Sequence, residues 1–320
     1  MPCGARKSVR PKKAGLDRGG PFSHITWRTP PPRPRKTPPV VPSRYSKMAL
    51  PILVSDVADP RIENYRRVRE RDLAGRTDQF VAEGEVVLRV LATRSHFKID
   101  SVLLAENRVE VLRDLIGALA PSVPIYVAAP RVMQAIVGFP IHRGVLALGR
   151  RRPPENCVEL LAALPASSLV VGLVGLTNHD NVGGIFRNAA AFGVGAVLLD
   201  PATCDPLYRK AVRVSVGGSL VVPFARVSDA NAMVVHLEEA GFDVISLSPR
   251  GRETLLEVVR SPRTALLLGS EGAGLPQSLL ARTRTIAIPM AAGFDSLNVA
   301  TASGIALHRL AITNGSPHGT

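Results

Sequence analysis

The sequence predicts an α/β chain, a small α/β domain followed by a larger and mostly parallel sheet covered by helices on both faces. Apolar runs of strand length alternate with stretches of helical period from about residue 52 to residue 312. The alternation is interrupted at Arg150-Arg151-Arg152-Pro153-Pro154, where a charge run and paired prolines read as a linker over 151–164. The apolar fraction of 46% supports packed cores, yet no stretch reaches the ~18 uninterrupted apolar residues of a membrane span. A soluble protein without a membrane partner is expected.

Residues 1–50 are a basic, Pro-rich tail expected to be disordered. Its first 48 residues hold twelve Lys or Arg against the single acid Asp17 and show no apolar periodicity. The tail reads either as an electrostatic arm for phosphates or as an over-extended start ahead of Met48, with a transit peptide as a lesser option. It accounts for most of the net charge of +14, because the other 272 residues hold 28 basic and 25 acidic side chains. Global charge is therefore weak evidence for a nucleic-acid partner. Cys3, Cys157 and Cys204 are widely spaced and form no CxxC or Cys/His cluster. No disulfide framework or metal site is expected, and a reducing cytoplasm fits.

In the first domain, residues 51–150, Val86, Val87, Val90 and Leu91 recur at helical spacing. A strand Ile99–Ala105, a helix Arg108–Leu119, a strand Pro124–Ala128, a short helix from Pro130 and an apolar run Gly144–Gly149 follow. The second domain, 165–315, has strands at Leu169–Leu173, Ala196–Leu199, Asp243–Leu247, Ala265–Leu268 and Thr285–Ile288. Its helices are Val182–Phe192, Ala230–Ala240 and Leu297–Ile312. No internal repeat is detectable.

Three blocks of the second domain can carry chemistry. The first, Asn178 to Ala190, opens a helix after a strand, with Asp180 or Asn181 suited to the N-cap and Gly193 to the stop. Its glycines and bare amides can approach a phosphate or polar group, though their spacing is not that of a dinucleotide fingerprint. Arg187 stands among apolar residues and needs a counter-charge. It serves either in a structural ion pair or as a guanidinium aimed at substrate. The second block, Leu266 to Leu275, ends a buried strand in a loop with Gly269, Gly272 and Gly274 around Ser270 and Glu271. Such a backbone can curl round a ligand, though a lone Gly-rich turn is more often only a loop. In the third block Pro289 ends a strand after Ile288 and before Met290. Ser296, ahead of Leu297 and Asn298, is a natural N-cap for the last helix.

The ordered set N-x-G-x-x-x-R-x-A, G-x-E-G-x-G and I-P-M…S-L-N-V-A, from Asn181 to Ala300, resembles the SpoU/TrmH family of the SPOUT methyltransferase class. Phe80-Val81-Ala82-Glu83-Gly84-Glu85 and His142-Arg143-Gly144-Val145 are similar to that family's N-terminal substrate-binding domain. The resemblance covers about 52–315. It departs at His179-Asp180, where many relatives have proline and glycine.

The resemblance implies a C-terminal trefoil knot and an RNA-binding first domain. It also implies a homodimer in which Arg187 serves the partner's cofactor site. It implies transfer of a methyl group from S-adenosyl-L-methionine to a ribose 2′-hydroxyl, with ribosomal RNA as the expected substrate. The alternatives are tRNA, a base-methylating relative, or a catalytically silent RNA-binding protein of the same fold. Gly269, Ser270, Ile288, Met290 and Leu297 would hold the cofactor. Arg187, Asn181, Glu271, Ser296 and Asn298 would form the catalytic set. Guanidinium is a poor base, so Arg187 is expected chiefly to orient the ribose and stabilise developing alkoxide charge.

Overall fold

The computed structural model describes residues 50–66, 78–138, 144–291 and 296–312. The basic tail and the His142-Arg143 pair lie outside the described residues. No helix among the described residues is long and apolar enough to cross a membrane.

The first sheet contains β1 (Ile52–Val54), β2 (Gln79–Glu83), β3 (Lys98–Ala105), β4 (Ile125–Ala128) and β5 (Val145–Arg150), in the order β1-β4-β3-β5-β2. β5 is antiparallel to β2 and β3, and the remaining pairs are parallel. Side chains of β3 alternate as the pleat requires. Val102 and Leu104 face the helices α1 (Glu85–Thr93), α2 (Glu106–Val109) and α3 (Arg113–Ala118), whereas Leu103 and Ala105 face Tyr65 and α4 (Pro130–Val137). The expected single helix Arg108–Leu119 is two short ones. The break lets Leu112, Leu115 and Ile116 all reach the core while Val111 stays exposed.

The segment expected as a linker carries a helix, α5 (Cys157–Ala162), capped by Asn156, whose side-chain oxygen accepts from the Val158 and Glu159 amides. Six residues are too few to show a period, but Cys157 and Leu161 are buried in the second domain's core.

The second sheet contains β6 (Ser168–Val174), β7 (Ala196–Leu199), β8 (Phe224–Arg226), β9 (Asp243–Leu247), β10 (Glu253–Thr254), β11 (Arg263–Gly269) and β12 (Arg284–Ala287). Their order is β10-β12-β9-β11-β6-β7-β8, and every pairing is parallel. β12 thus lies between β9 and β10, both of which precede it. Helices α6 (His179–Ala191) and α10 (Val299–Ile312) cover one face, on which Val171, Leu173 and Leu266 lie. The other face, with Val170 and Leu267, is covered by α5, α8 (Ala230–Glu239) and α9 (Gln277–Arg282). β7 and β9 have the expected bounds, but β8 and β10 were not expected, being only three and two residues long.

The remaining helix, α7 (Arg209–Val214), joins the two sheets. Leu207, Val212 and Leu220 are buried in the first domain's apolar core. Beside them the nearly buried Glu83 carboxylate meets Arg209 at 2.6 Å and Arg213 at 3.6 Å, and Arg151 pairs with Asp205 at 2.6 Å. The two parts therefore share a core and an ionic clasp as well as a covalent connection. Removing one partner of a largely buried pair strands the other. Glu83→Ala is therefore expected to lower stability by about 2–3 kcal/mol in chemical denaturation, somewhat less than for a fully buried pair. An unchanged midpoint would mean that the clasp contributes nothing.

Candidate active site at the carboxyl edge of the parallel sheet

Parallel strands deliver the loops that follow them to one edge of a sheet. The loops after β6, β11 and β12 meet there, and these are the three blocks singled out in the sequence. Asn298 joins them. Its side-chain amide donates to Asn181 Oδ1 at 2.8 Å and to Glu271 Oε1 at 3.0 Å, and its Oδ1 accepts from the amides of Ala300 and Thr301. The last helix consequently begins at Val299 with Asn298 as its cap. Ser296, expected there, lies exposed two residues earlier. Both residue types cap well, and Asn298 wins because its other end has two acceptors to satisfy. Asn181 is buried at this junction.

The start of α6 differs in the same way. Asn178 is the N-cap, accepting from the Asp180 amide at 2.8 Å, so neither Asp180 nor Asn181 fills that role. Gly193 ends the helix as expected, with φ 68° and the Val194 amide returning to the Ala189 carbonyl at 2.9 Å. Gly183 and Gly184, expected to offer bare amides to a ligand, admit neighbouring helices. A Cβ on Gly183 would lie 2.8 Å from the Ala211 carbonyl oxygen, and one on Gly184 would lie 2.7 Å from the Ala300 Cβ. One turn further on, the Asn188 amide donates to the Ala300 carbonyl at 2.8 Å and to the Ser303 hydroxyl at 2.9 Å.

The loop after β11 folds back on itself. The Gly274 amide donates to the Ser270 carbonyl at 3.0 Å, and any Cβ on Gly269 would collide with the backbone of Gly274 and Leu275. The would-be Cβ of Gly175, after β6, lies 3.6 Å from that of Ser270. Ile288 and Met290 leave β12 half-buried, and Leu297 is 41% exposed. The donor set is therefore main-chain amides and carbonyls flanked by apolar side chains.

Arg187 stands apart from this cluster. Six residues along α6 place it about 9 Å further on and about 120° around from Asn181. It is exposed and has no hydrogen-bond or ion-pair partner among the described residues, which rules out a structural ion pair with any of them. Sequence reasoning missed the segment 205–218 that flanks α6. The Tyr208 ring lies against His179 with centroids 4.0 Å apart, and Lys210 pairs with Asp180 at 2.6 Å. Burial holds the His179 imidazole below its ordinary pKa, so the ring is neutral at pH 7. A lone Tyr and Lys carry no sequence signal, but the Gly217-Gly218 pair was a legible turn.

Residues 168–308 match the SpoU rRNA Methylase family. An uncharacterized tRNA/rRNA methyltransferase of Mycobacterium tuberculosis is 38% identical over 265 residues, covering 80% of this chain and 90% of the relative. The 23S rRNA (guanosine-2′-O-)-methyltransferase RlmB of Escherichia coli is 29% identical over 228 residues, 69% of this chain and 93% of the relative. Among solved structures, an rRNA methyltransferase from Sinorhizobium meliloti superposes with a TM-score of 0.67 at 25% identity, covering 81% of this chain and 97% of that one.

Substitution separates the two duties of Asn298. Asn298→Ala loses the cap and should cost about 1 kcal/mol in thermal unfolding. Asn298→Asp keeps an acceptor for the cap but sets a carboxylate against Glu271. Hydrogen exchange over residues 270–275 should then speed up while the helix from Val299 stays protected. Equal loosening of both segments would contradict this division.

Proposed function

The chain belongs to the SpoU rRNA methylase family of RNA methyltransferases, and from that premise we propose that it moves a methyl group from S-adenosylmethionine to a ribose 2′-hydroxyl of ribosomal RNA. The observation that carries this reading is the Asn181–Asn298–Glu271 hydrogen-bonded set, which fastens the Gly269–Gly274 loop and the start of α10 to α6. The 2′-hydroxyl specificity is supported by the likeness to RlmB. Transfer RNA is the competing substrate, since the mycobacterial relative is named for both.

S-adenosylmethionine, when bound, supplies an electrophilic sulfonium methyl group. The looped backbone from Gly269 to Gly274 would hold it through main-chain groups, its tight closure made possible by glycine at Gly269, where a Cβ would strike the loop's own backbone. Ser270 and Gly269 offer main-chain groups, and Ile288, Met290 and Leu297 offer apolar surface for an adenine ring. Glu271 and Asn298 fix the loop. Asn181, held by Asn298, extends the hydrogen-bonding frame, and the exposed Ser296 hydroxyl can add to it.

Arg187 orients the ribose and the neighbouring phosphate and stabilises alkoxide charge as the hydroxyl loses its proton. Its distance from Asn181 on α6 supports a site completed across two chains, with Arg187 facing the partner's cofactor loops. The exposed Ile305 and Ile312 on α10 supply apolar surface for such a homodimer. The order β10-β12-β9 supports a trefoil knot. The chain runs from β9 out to β10 and back to β11, leaving between β9 and β10 the place that β12 later takes. The first domain binds the RNA. A cytoplasmic enzyme is the corresponding location.

Digestion of methylated RNA to nucleosides should yield 2′-O-methylribose; methyl groups found only on bases would refute the chemistry. Arg187→Lys keeps the charge but loses the planar fork, so kcat should fall on the order of 100-fold, and near-wild-type turnover would exclude bidentate orientation. Arg187→Ala and Gly269→Val chains, each inactive alone, should regain activity when mixed if the site spans two chains. Persistent inactivity would place the whole site within one.

A further inference from the structure

We propose that Gly217 and Gly218 form a two-residue wedge that positions Arg187, so that the aim of this side chain depends on how the first domain is seated. The inference rests on Arg187 being the residue that meets the reacting ribose. The loop after α7 lies between two helices. On one side is α1 of the first domain, where a Cβ on Gly217 would lie 2.9 Å from the Cβ and Cγ1 of Val90. On the other side is α6, where a Cβ on Gly218 would lie 2.7 Å from the Phe186 carbonyl oxygen and 3.3 Å from the Arg187 Cα. Helix, two backbone residues and helix are thus stacked with no room for a side chain between them.

The wedge is held stiffly. Val216 has φ 54° and Gly217 φ 82°, and a β-branched residue in the left-handed region is costly unless its surroundings impose it. Ser215 and Ser219 impose it here. The Ser215 hydroxyl donates to the Val212 carbonyl at 2.9 Å and lies 3.2 Å from the Ser219 hydroxyl, and the Ser219 amide donates to Ser215 Oγ. Both ends of the loop are tied to the first domain, although α7 also packs on α6, where Ala211 and Val214 meet Gly183. α7 is gripped by Glu83 through Arg209 and Arg213, and Leu220 is buried in the first domain's core.

A shift of the first domain therefore carries the loop with it, and Gly218 transmits the shift to the main chain at Arg187. No described residue holds the Arg187 guanidinium in place. Its direction is set by its backbone until substrate arrives. Displacing a catalytic group by about 1 Å can cost ~100-fold in rate, so a small shift suffices.

The test uses the full chain and compares Gly218→Ala, Gly217→Ala, Val90→Ala and the Gly217→Ala/Val90→Ala pair. Gly218→Ala should lower kcat roughly 10- to 100-fold while the Kd for S-adenosylmethionine, held by other loops, stays within about twofold. Gly217→Ala should also lower kcat, and Val90→Ala should restore a small part of that loss, since it removes Cγ1 and Cγ2 but leaves the Val90 Cβ 2.9 Å away. Val90→Ala alone, a mild truncation, should shift the Arg187 Nε–Hε NMR signal even if the glycine variants fold poorly. Wild-type kcat in both glycine variants, a Gly217→Ala loss untouched by Val90→Ala, or an unmoved Arg187 signal would each overturn the wedge. Wild-type kcat in Arg187→Ala would instead overturn the role of Arg187 itself.

Discussion

Helix α6 is approached by backbone or small side chains from three directions. Gly183 meets the Ala211 carbonyl, Gly184 meets Ala300, and Gly218 meets the main chain of Phe186 and Arg187. Helices separated by ordinary side chains pack about 8–10 Å apart, and glycine contacts bring them closer. Only at this range can short amide side chains bridge between helices, as Asn181 does to Asn298 and Asn188 does to Ser303. The polar junction at the site thus depends on a steric condition. If the Gly184–Ala300 contact widened, Asn181 and Asn188 would lose their partners in a buried or half-buried setting, where an unmet hydrogen bond is costly.

The parallel sheet supplies the second constraint. With seven strands all running one way, the chain reverses direction only outside the sheet, and the loops leaving β6, β11 and β12 share one edge. β12 enters between β9 and β10, so Ile288–Met290 leave the sheet among loops already laid down. Asn298 then closes the set from the far side, bonding to residues 117 and 27 positions earlier in the chain. A side chain that caps a helix and joins two remote loops ties helix formation to site formation.

Much of this was legible in the sequence. The buried strands read correctly because a parallel strand covered on both faces is an uninterrupted apolar run, as at Ala265–Leu268. The three blocks were found by residue type and spacing, and the structure joins two of their polar members through the third. Edge strands β8 and β10 and helix α5 were not legible, being too short to show a period. The roles of Gly183 and Gly184 were misread, since a glycine that admits a ligand and one that admits a helix look alike in one sequence. The junction between the domains was invisible for a different reason. Leu207, Val212 and Leu220 read as second-domain residues by position, and only tertiary structure puts them in the first domain's core.

The charge balance gives Arg187 its meaning on the proposed reading. Apart from the tail, basic residues exceed acidic ones by only three, and many arginines near the domain junction are already paired, as Arg151 and Arg213 are. The folded part cannot rely on a broad positive field to hold RNA. Arg187 is one of the exposed arginines that no described residue pairs. Leaving it free costs little in water, where it stays solvated. When a ribose and its phosphate arrive and exclude that water, the same guanidinium becomes a strong and directional donor. Part of the RNA's binding energy then goes into ordering one side chain, and that interaction favours the transition state most if it strengthens as alkoxide charge develops. An arginine already committed to a carboxylate could not do this without first breaking that pair.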